Sequence, residues 1–290
     1  MTENVQACPL CGSDRSSLFD RREFRGQDVT NQLCLRCGLV YLSPRMTEAE
    51  SAAFYSQEYR LFNEGSAEPT TRNMANQRDR AKSLEMFSRT SLPSIRHHLD
   101  IGCSVGFLLK HFQEVYSCRS AGIEPNDVHR AHAQQDGLAV YANLDELEKI
   151  EKDRFDLISI IHVLEHLPDP VGYLAHLRER LLAPDGWLLL EVPNLYAHDS
   201  FEIAHLVSYS THTLAQVLEK AGFDIVKTEQ HGRPRSRLLP LYISVLARPS
   251  SEHAGAFILR PEKNVAFKRQ AGILFRRIQE RLFPRQAWIA

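Results

Sequence analysis

The sequence predicts an α/β fold: a mainly parallel sheet covered by helices on both faces, with a small cysteine-rich module ahead of it. Two observations carry the prediction. From about residue 96 short apolar runs (HHLDIG, SAGIEP, AVYA, FDLISIIHVL, GWLLLEVP, FDIVKTEQ, PLYISVLA) alternate with amphipathic stretches. Strand alternating with helix implies parallel strands whose crossovers cover the sheet. Near the N-terminus, four of the six cysteines stand in two tight pairs. At 290 residues and 43% hydrophobic, the chain has room for one full-sized domain plus an appendage, and enough apolar surface for a core.

Residues 1–45 hold the pairs Cys8-Pro9-Leu10-Cys11-Gly12 and Cys34-Leu35-Arg36-Cys37-Gly38, separated by 22 residues. No basic stretch leads into an apolar run at the N-terminus, and no run of about 18 apolar residues occurs, so a cytoplasmic protein without a transmembrane segment is expected. Paired cysteines in that setting point to metal rather than disulfides. Each C-x-x-C places two thiolates on one edge of a tetrahedron, and the following glycine permits the turn that aims N–H groups at sulfur. A zinc ribbon with Cys8, Cys11, Cys34 and Cys37 as ligands follows. Four protein ligands leave no open position, so this zinc is expected to be structural.

Residues 46–95 read as a helical linker or lid. Thr47 precedes Glu50 by three residues, a capping-box pattern, and Met74, Ala81, Leu84 and Phe87 are spaced near helical periodicity. Tyr55 and Tyr59 are expected to pack within this segment, with a role over the pocket as the alternative. Residues 96–250 are the main domain; Pro184-Asp185-Gly186 and Ala221-Gly222 are read as helix ends before a strand. Residues 251–290 form an amphipathic basic tail. Phe267, Ala271, Leu274, Phe275, Ile278 and Leu282 fall near one helical face among six lysines and arginines. The expectation is a docking helix with a solvated basic face, the alternative contact with a partner or a membrane surface. A formal net charge of −1 gives no general attraction to nucleic acid.

The most informative stretch is Leu99-Asp100-Ile101-Gly102-Cys103-Ser104-Val105-Gly106-Phe107. A strand enters a glycine-punctuated turn and leaves as a helix, whose free N–H groups suit a carboxylate. The dinucleotide pattern G-x-G-x-x-G is absent, which argues against a dehydrogenase. LDIGCSVGFLL resembles motif I of class I S-adenosylmethionine (SAM)-dependent methyltransferases, with Ser104 in place of the middle glycine. Glu124, 22 residues beyond Gly102, matches the acid with which the family holds the ribose hydroxyls. Phe155–Pro170, containing LEHLPDP, and Gly186–Asn194 resemble the family's fourth and fifth strands. The resemblance covers about residues 96–248. It implies a Rossmann-like sheet and SAM binding by Asp100, Gly102, Ser104, Gly106 and Glu124, with His162 near the methionine portion and Asn143 either beside adenine or in ordinary loop packing.

Methyl transfer needs alignment and, for some acceptors, a base. The segment Phe201–Ser210 resembles that of sugar C-methyltransferases, where a Glu-His pair precedes an aromatic residue and Ser. Here Ala204 replaces the Glu, so any help to His205 is missing or comes from elsewhere. His205 is the expected base, and His166 a second candidate read as shaping the loop. The reading is a methyltransferase acting on a small molecule or a nucleotide-sugar or glycan acceptor. The alternatives are a ribosomal RNA base methyltransferase and an inactive SAM-binding scaffold.

Overall fold

A computed structural model of the chain describes residues 2–251 and 257–289. Residues 252–256 and 290 of the expected tail lie outside these. In chain order the strands and helices begin with β1 (Thr2–Glu3), β2 (Ser16–Phe24), β3 (Gln27–Cys34), β4 (Val40–Leu42) and β5 (Arg45–Met46). Then come α1 (Glu48–Ala53), α2 (Tyr59–Glu64) and α3 (Thr71–Ser88). β6 (His97–Ile101), α4 (Phe107–Tyr116), β7 (Arg119–Ile123), α5 (Asp127–Gln135), β8 (Ala139–Tyr141), α6 (Leu144–Ile150) and β9 (Phe155–Ile161) alternate as expected. The remainder is α7 (Pro170–His176), β10 (Leu182–Pro193), β11 (Val207–Ser208), α8 (Thr211–Lys220), β12 (Phe223–His231), β13 (Tyr242–Pro249), α9 (Val265–Leu282) and α10 (Pro284–Ala287).

These elements form a mixed α/β fold around a seven-stranded sheet of order β12-β13-β10-β9-β6-β7-β8. β6 pairs in parallel with both β7 and β9, and β12 pairs antiparallel with β13. The chain builds outward from β6 on one side and then crosses to β9, so the strand order reverses at the end of β6. Such reversals open a crevice beyond the carboxyl ends of the strands. All five residues of β6 are buried, as befits a strand covered on both faces.

Local chemistry sets the helix starts. Asn126, Asn143 and Asp169 each accept a backbone N–H with their side chains, at the entries of α5, α6 and α7. Ser210 and Thr213 form a reciprocal capping box at α8. Each such cap is worth about 1 kcal/mol. Gly222 ends α8 with φ +86°. The backbone is already extended from Leu182, so Pro184–Gly186 lies within β10 rather than ahead of it. Tyr55 and Tyr59 pack together, ring centroids 5.1 Å apart, and both flank Phe54.

The chain divides into two compact units, one of Met1–Thr47, His162–Arg178 and Glu191–Ala290, the other of Glu48–Ile161 and Glu179–Leu190. The first holds a second, four-stranded sheet of order β11-β4-β3-β2. It also holds α9, whose orientation differs from the sequence expectation. Part of its basic side is docked: Arg269 is buried, donating to the carbonyls of Leu195 and His198 and to Asp199. Arg276 donates to the carbonyl of Ala197 at 3.0 Å. The backbone of α9 lies so close to Tyr196 that a Cβ at Gly272 would stand 2.0 Å from its carbonyl oxygen. A cage of carbonyls satisfies guanidinium groups better than water-free apolar packing would, so periodicity alone assigns this helix the wrong inner face.

Candidate active site and metal centre

In the second unit, the turn after β6 carries the first cluster. Gly102, Ser104 and Gly106 all have left-handed φ, +75°, +51° and +81°. For Ser104 that costs strain a glycine avoids. Its hydroxyl is tied to Gln77 Nε2 at 3.1 Å and His129 Nδ1 at 2.9 Å, contacts that glycine lacks. Gly106 combines its left-handed φ with a close approach: a Cβ there would stand 2.1 Å from Leu138 Cδ1.

Glu124, at the end of β7, is buried and aimed at this turn. One carboxylate oxygen accepts Ser104 N–H at 2.9 Å, the other Asn126 N–H at 3.0 Å, and Arg60 lies 3.4 Å from the first. Backbone donors thus fix the carboxylate plane; the oxygen facing Asn126 keeps a lone pair, while the other also accepts from Arg60. Asp100 is also buried and accepts the Ser159 hydroxyl at 2.6 Å. His98 Nε2 lies 2.7 Å from the same hydroxyl. Since Ser159 donates to Asp100, the imidazole donates to Ser159. Burial pushes Asp100 up to about 7, Ser159 opposing and Glu124 adding to it; burial holds His98 down at about 3.

The first unit holds a cluster of histidines and carboxylates. Ligand atoms of Glu165, His166 and His205 all lie within 4.8 Å of one another. His166 Nδ1 donates to the carbonyl of Ala204 at 2.8 Å. An acceptor-only partner puts the proton on Nδ1 and leaves Nε2 as a base. His205 Nε2 lies 3.0 Å from Glu202 Oε1. Glu202 thus places a carboxylate beside His205, where residue 204 is an alanine. Burial holds His205 down at about 3, and burial pushes Glu202 up to about 7, with Glu165 adding to it.

His162, at left-handed φ +55°, is clasped between Glu165 (3.3 Å) and Glu191 (3.1 Å). Glu165 is buried, which raises its carboxyl, but the His162 bond and nearby imidazoles outweigh burial and hold it at about 2. Glu191 also accepts from Ser244 (2.7 Å), which in turn lies 2.7 Å from His231 Nε2.

The four N-terminal cysteines converge in the same unit. Cys8 and Cys37 Sγ are 3.5 Å apart, Cys11 and Cys34 Sγ likewise, and all four sulfurs lie within 4.8 Å of one another. A tetrahedral ion with metal–sulfur bonds of about 2.3 Å implies sulfur–sulfur separations of about 3.8 Å. Gly12 and Gly38 take φ +69° and +85°, and Leu39 N–H points at Cys37 Sγ at 3.4 Å. Hydrogen bonds from Cys37 and Cys8 hold the Cys34 thiol far below its usual range, while those thiols are pushed up. Crowded thiols of that kind suit one soft cation that neutralises them together.

This cysteine module is joined to the histidine cluster. β4 pairs with β11, Tyr41 opposite Val207, and Leu42 N–H donates to Leu206. His205 is thus two residues from a strand of the module's own sheet. Upstream, Phe201 lies between the guanidiniums of Arg22 (5.0 Å) and Arg269 (4.8 Å), and Asp199 accepts from both.

The residues anticipated from sequence fall into separate groups. Asp100, Gly102, Ser104, Gly106 and Glu124 share the turn. Asn143 caps α6 through its side chain. His162 stands with His166 and His205 through Glu165. Sequence reasoning missed His98, Ser159, Gln77, His129 and Glu202. Only Glu202 carried a local signal, a carboxylate three residues before His205.

A family profile described as a methyltransferase domain matches residues 71–228, more than half of the chain. The ubiquinone biosynthesis O-methyltransferase of Actinobacillus pleuropneumoniae serotype 7 (strain AP76) is 32% identical over 107 residues, 33% of this chain and 45% of that protein. Its counterpart in Coxiella burnetii (strain Dugway 5J108-111) is 29% identical over 136 residues, 42% of this chain and 57% of that protein. The chain spans about half the length of the curated relatives it matches. Among solved structures, Burkholderia thailandensis 1,6-didemethyltoxoflavin-N1-methyltransferase, with bound 1,6-didemethyltoxoflavin and S-adenosylhomocysteine, is similar at TM-score 0.56 and 19% identity, over 80% of this chain and all of that one. At that identity the likeness is one of fold.

Proposed function

The chain belongs to the methyltransferase-domain family, and we propose that it moves a methyl group from SAM to a small-molecule or sugar-containing acceptor. The observation that carries the reading is Glu124, buried at the end of β7 with its carboxylate oriented by Ser104 N–H and Asn126 N–H. That arrangement suits the hydroxyls of a ribose, a charge-assisted bond to the carboxylate being worth about 1.5–3 kcal/mol.

When bound, SAM supplies an electrophilic methyl on a sulfonium that leaves as a neutral thioether. Asp100, the glycine turn and Glu124 hold it; Asn143 and His162 are assigned to its adenine and methionine ends. His205 and Glu202 take up the acceptor's proton as its bond to methyl forms, His166 standing beside them. A base so placed is worth about 10²–10⁴-fold. Residues 1–45 are a zinc module, with Cys8, Cys11, Cys34 and Cys37 holding a structural Zn2+. Residues 46–95 are a linker or lid, 96–250 the SAM-binding domain and 251–290 a basic tail.

The test is calorimetry with SAM, comparing the native metal-loaded chain with Glu124→Ala. The expected result is binding that falls at least about ten-fold, about 1.4 kcal/mol. Absence of binding by the native chain overturns the reading.

A further inference from the structure

We propose that the outer face of α9 docks on an anionic lipid surface. The helix presents to solvent what an amphipathic helix ordinarily hides. Phe267, Leu274, Phe275, Ile278 and Leu282 are exposed by 71, 59, 54, 46 and 64%, and Phe283 just beyond by 49%. At about 100° per residue, Phe267, Ala271, Leu274, Phe275, Ile278 and Leu282 share an arc of about 100°. Exposed Arg277 and Arg281 border that arc on one side and exposed Lys268 on the other. The opposite face is committed to the fold through Val265, Arg269, Gly272 and Arg276.

Charge selects the occupant. Between residues 257 and 289 the carboxylates are Glu262 and Glu280, and both are engaged, Glu262 with Tyr196 and Lys268, Glu280 with Arg276. The outward face is therefore apolar at its centre and cationic along the margin of Arg277 and Arg281. A second copy laid on it would bring like charges together at that margin. An anionic bilayer satisfies both parts: acyl chains take the apolar strip, phosphates the two arginines. An 18-residue helix held to the protein along one side lies in the interface plane. Among the described residues no helix is long and apolar enough to cross a membrane.

The experiment is co-sedimentation of the full chain with vesicles of phosphatidylcholine alone or mixed with phosphatidylglycerol. Native protein is expected to sediment with the mixed vesicles, in a salt-sensitive way, and not with phosphatidylcholine alone. Phe267→Ser with Phe275→Ser, and separately Arg277→Glu with Arg281→Glu, are expected to weaken that binding at least about ten-fold. These positions are exposed, so SAM binding by both variants serves as the check on folding. Equal binding to the two vesicle types, or binding unchanged in either variant, overturns the proposal. So does a native dimer, by light scattering, that the phenylalanine variant dissolves while no vesicle is bound.

Discussion

His205 Nε2 lies 3.0 Å from Oε1 of Glu202, three residues earlier in the chain. On the proposed mechanism the two act as one proton-accepting pair. Glu202 is pushed up to about 7 by burial, so below that pH its carboxyl stays protonated beside His205. The proton must leave before the pair can accept another. The rate of methyl transfer is therefore expected to rise with pH through about 7 and then level. Glu202→Gln should remove that limb and lower kcat at least about ten-fold, and His205→Ala should lower it about 10²–10⁴-fold. A pH profile of kcat for the three proteins checks this; a limb that survives in Glu202→Gln contradicts it.

The cysteine module has a bearing on the same pair. β11 begins two residues after His205 and pairs with β4, which follows the second cysteine knuckle. Structural zinc contributes about 10–16 kcal/mol of apparent free energy to small modules at neutral pH. Cys34→Ser should release the ion and loosen β4 from β11. The glycine turn and Glu124 lie in the other unit. The expected outcome is a fall in kcat of about ten-fold or more, with SAM affinity within about two-fold of native. Zinc analysis, calorimetry and rate measurements on one preparation decide it. Equal loss of SAM binding and rate would show general unfolding instead.

Asp100 makes stability depend on pH. Its carboxyl is raised from 3.8 to about 7 by burial, so the folded state prefers the protonated form more than the unfolded state does. The sign follows: that contribution is fully present below about 4 and is lost as pH rises through about 7. Its full size is of the order of a few kcal/mol. Asp100→Asn stays neutral throughout. Its melting temperature should therefore fall less than that of the native chain between pH 4 and 7. Thermal scans without SAM make the comparison, and parallel curves would contradict it.

What the sequence disclosed follows the reach of each signal. The cysteine knuckles and the turn from Asp100 to Gly106 were legible because their geometry is set within a few residues. Glu124 was legible because one strand–helix–strand unit fixes its distance from Gly102. Partners that converge from separate strands were not. Asp100, Ser159 and His98 meet across β6 and β9, and Glu191, Ser244 and His231 across β10, β12 and β13. No spacing announces such contacts. α9 shows a different limit. Its periodicity was plain, yet which face turns inward depended on the carbonyls of Leu195, Ala197 and His198, whose position belongs to tertiary structure.

Two positions of the turn separate conformational freedom from space. Ser104 sits at φ +51° with a hydroxyl bonded to Gln77 and His129. Ser104→Gly relieves about 1–2 kcal/mol of backbone strain and forfeits hydrogen bonds of similar total worth. Its melting temperature and SAM affinity are expected to stay near native. Gly106→Ala offers no such exchange. The new Cβ takes on φ +81° and stands 2.1 Å from Leu138 Cδ1, so the side chain must move within the packed cluster of Cys103, Leu109, Ala133 and Val140. Overpacking of that kind costs about 1–3 kcal/mol, and the left-handed backbone adds about 1 more. Denaturant midpoints of the two variants should therefore part in one direction only, Gly106→Ala well below native and Ser104→Gly beside it. A Gly106→Ala protein as stable as native would mean that Leu138 has room to yield, and would remove the packing explanation for that glycine.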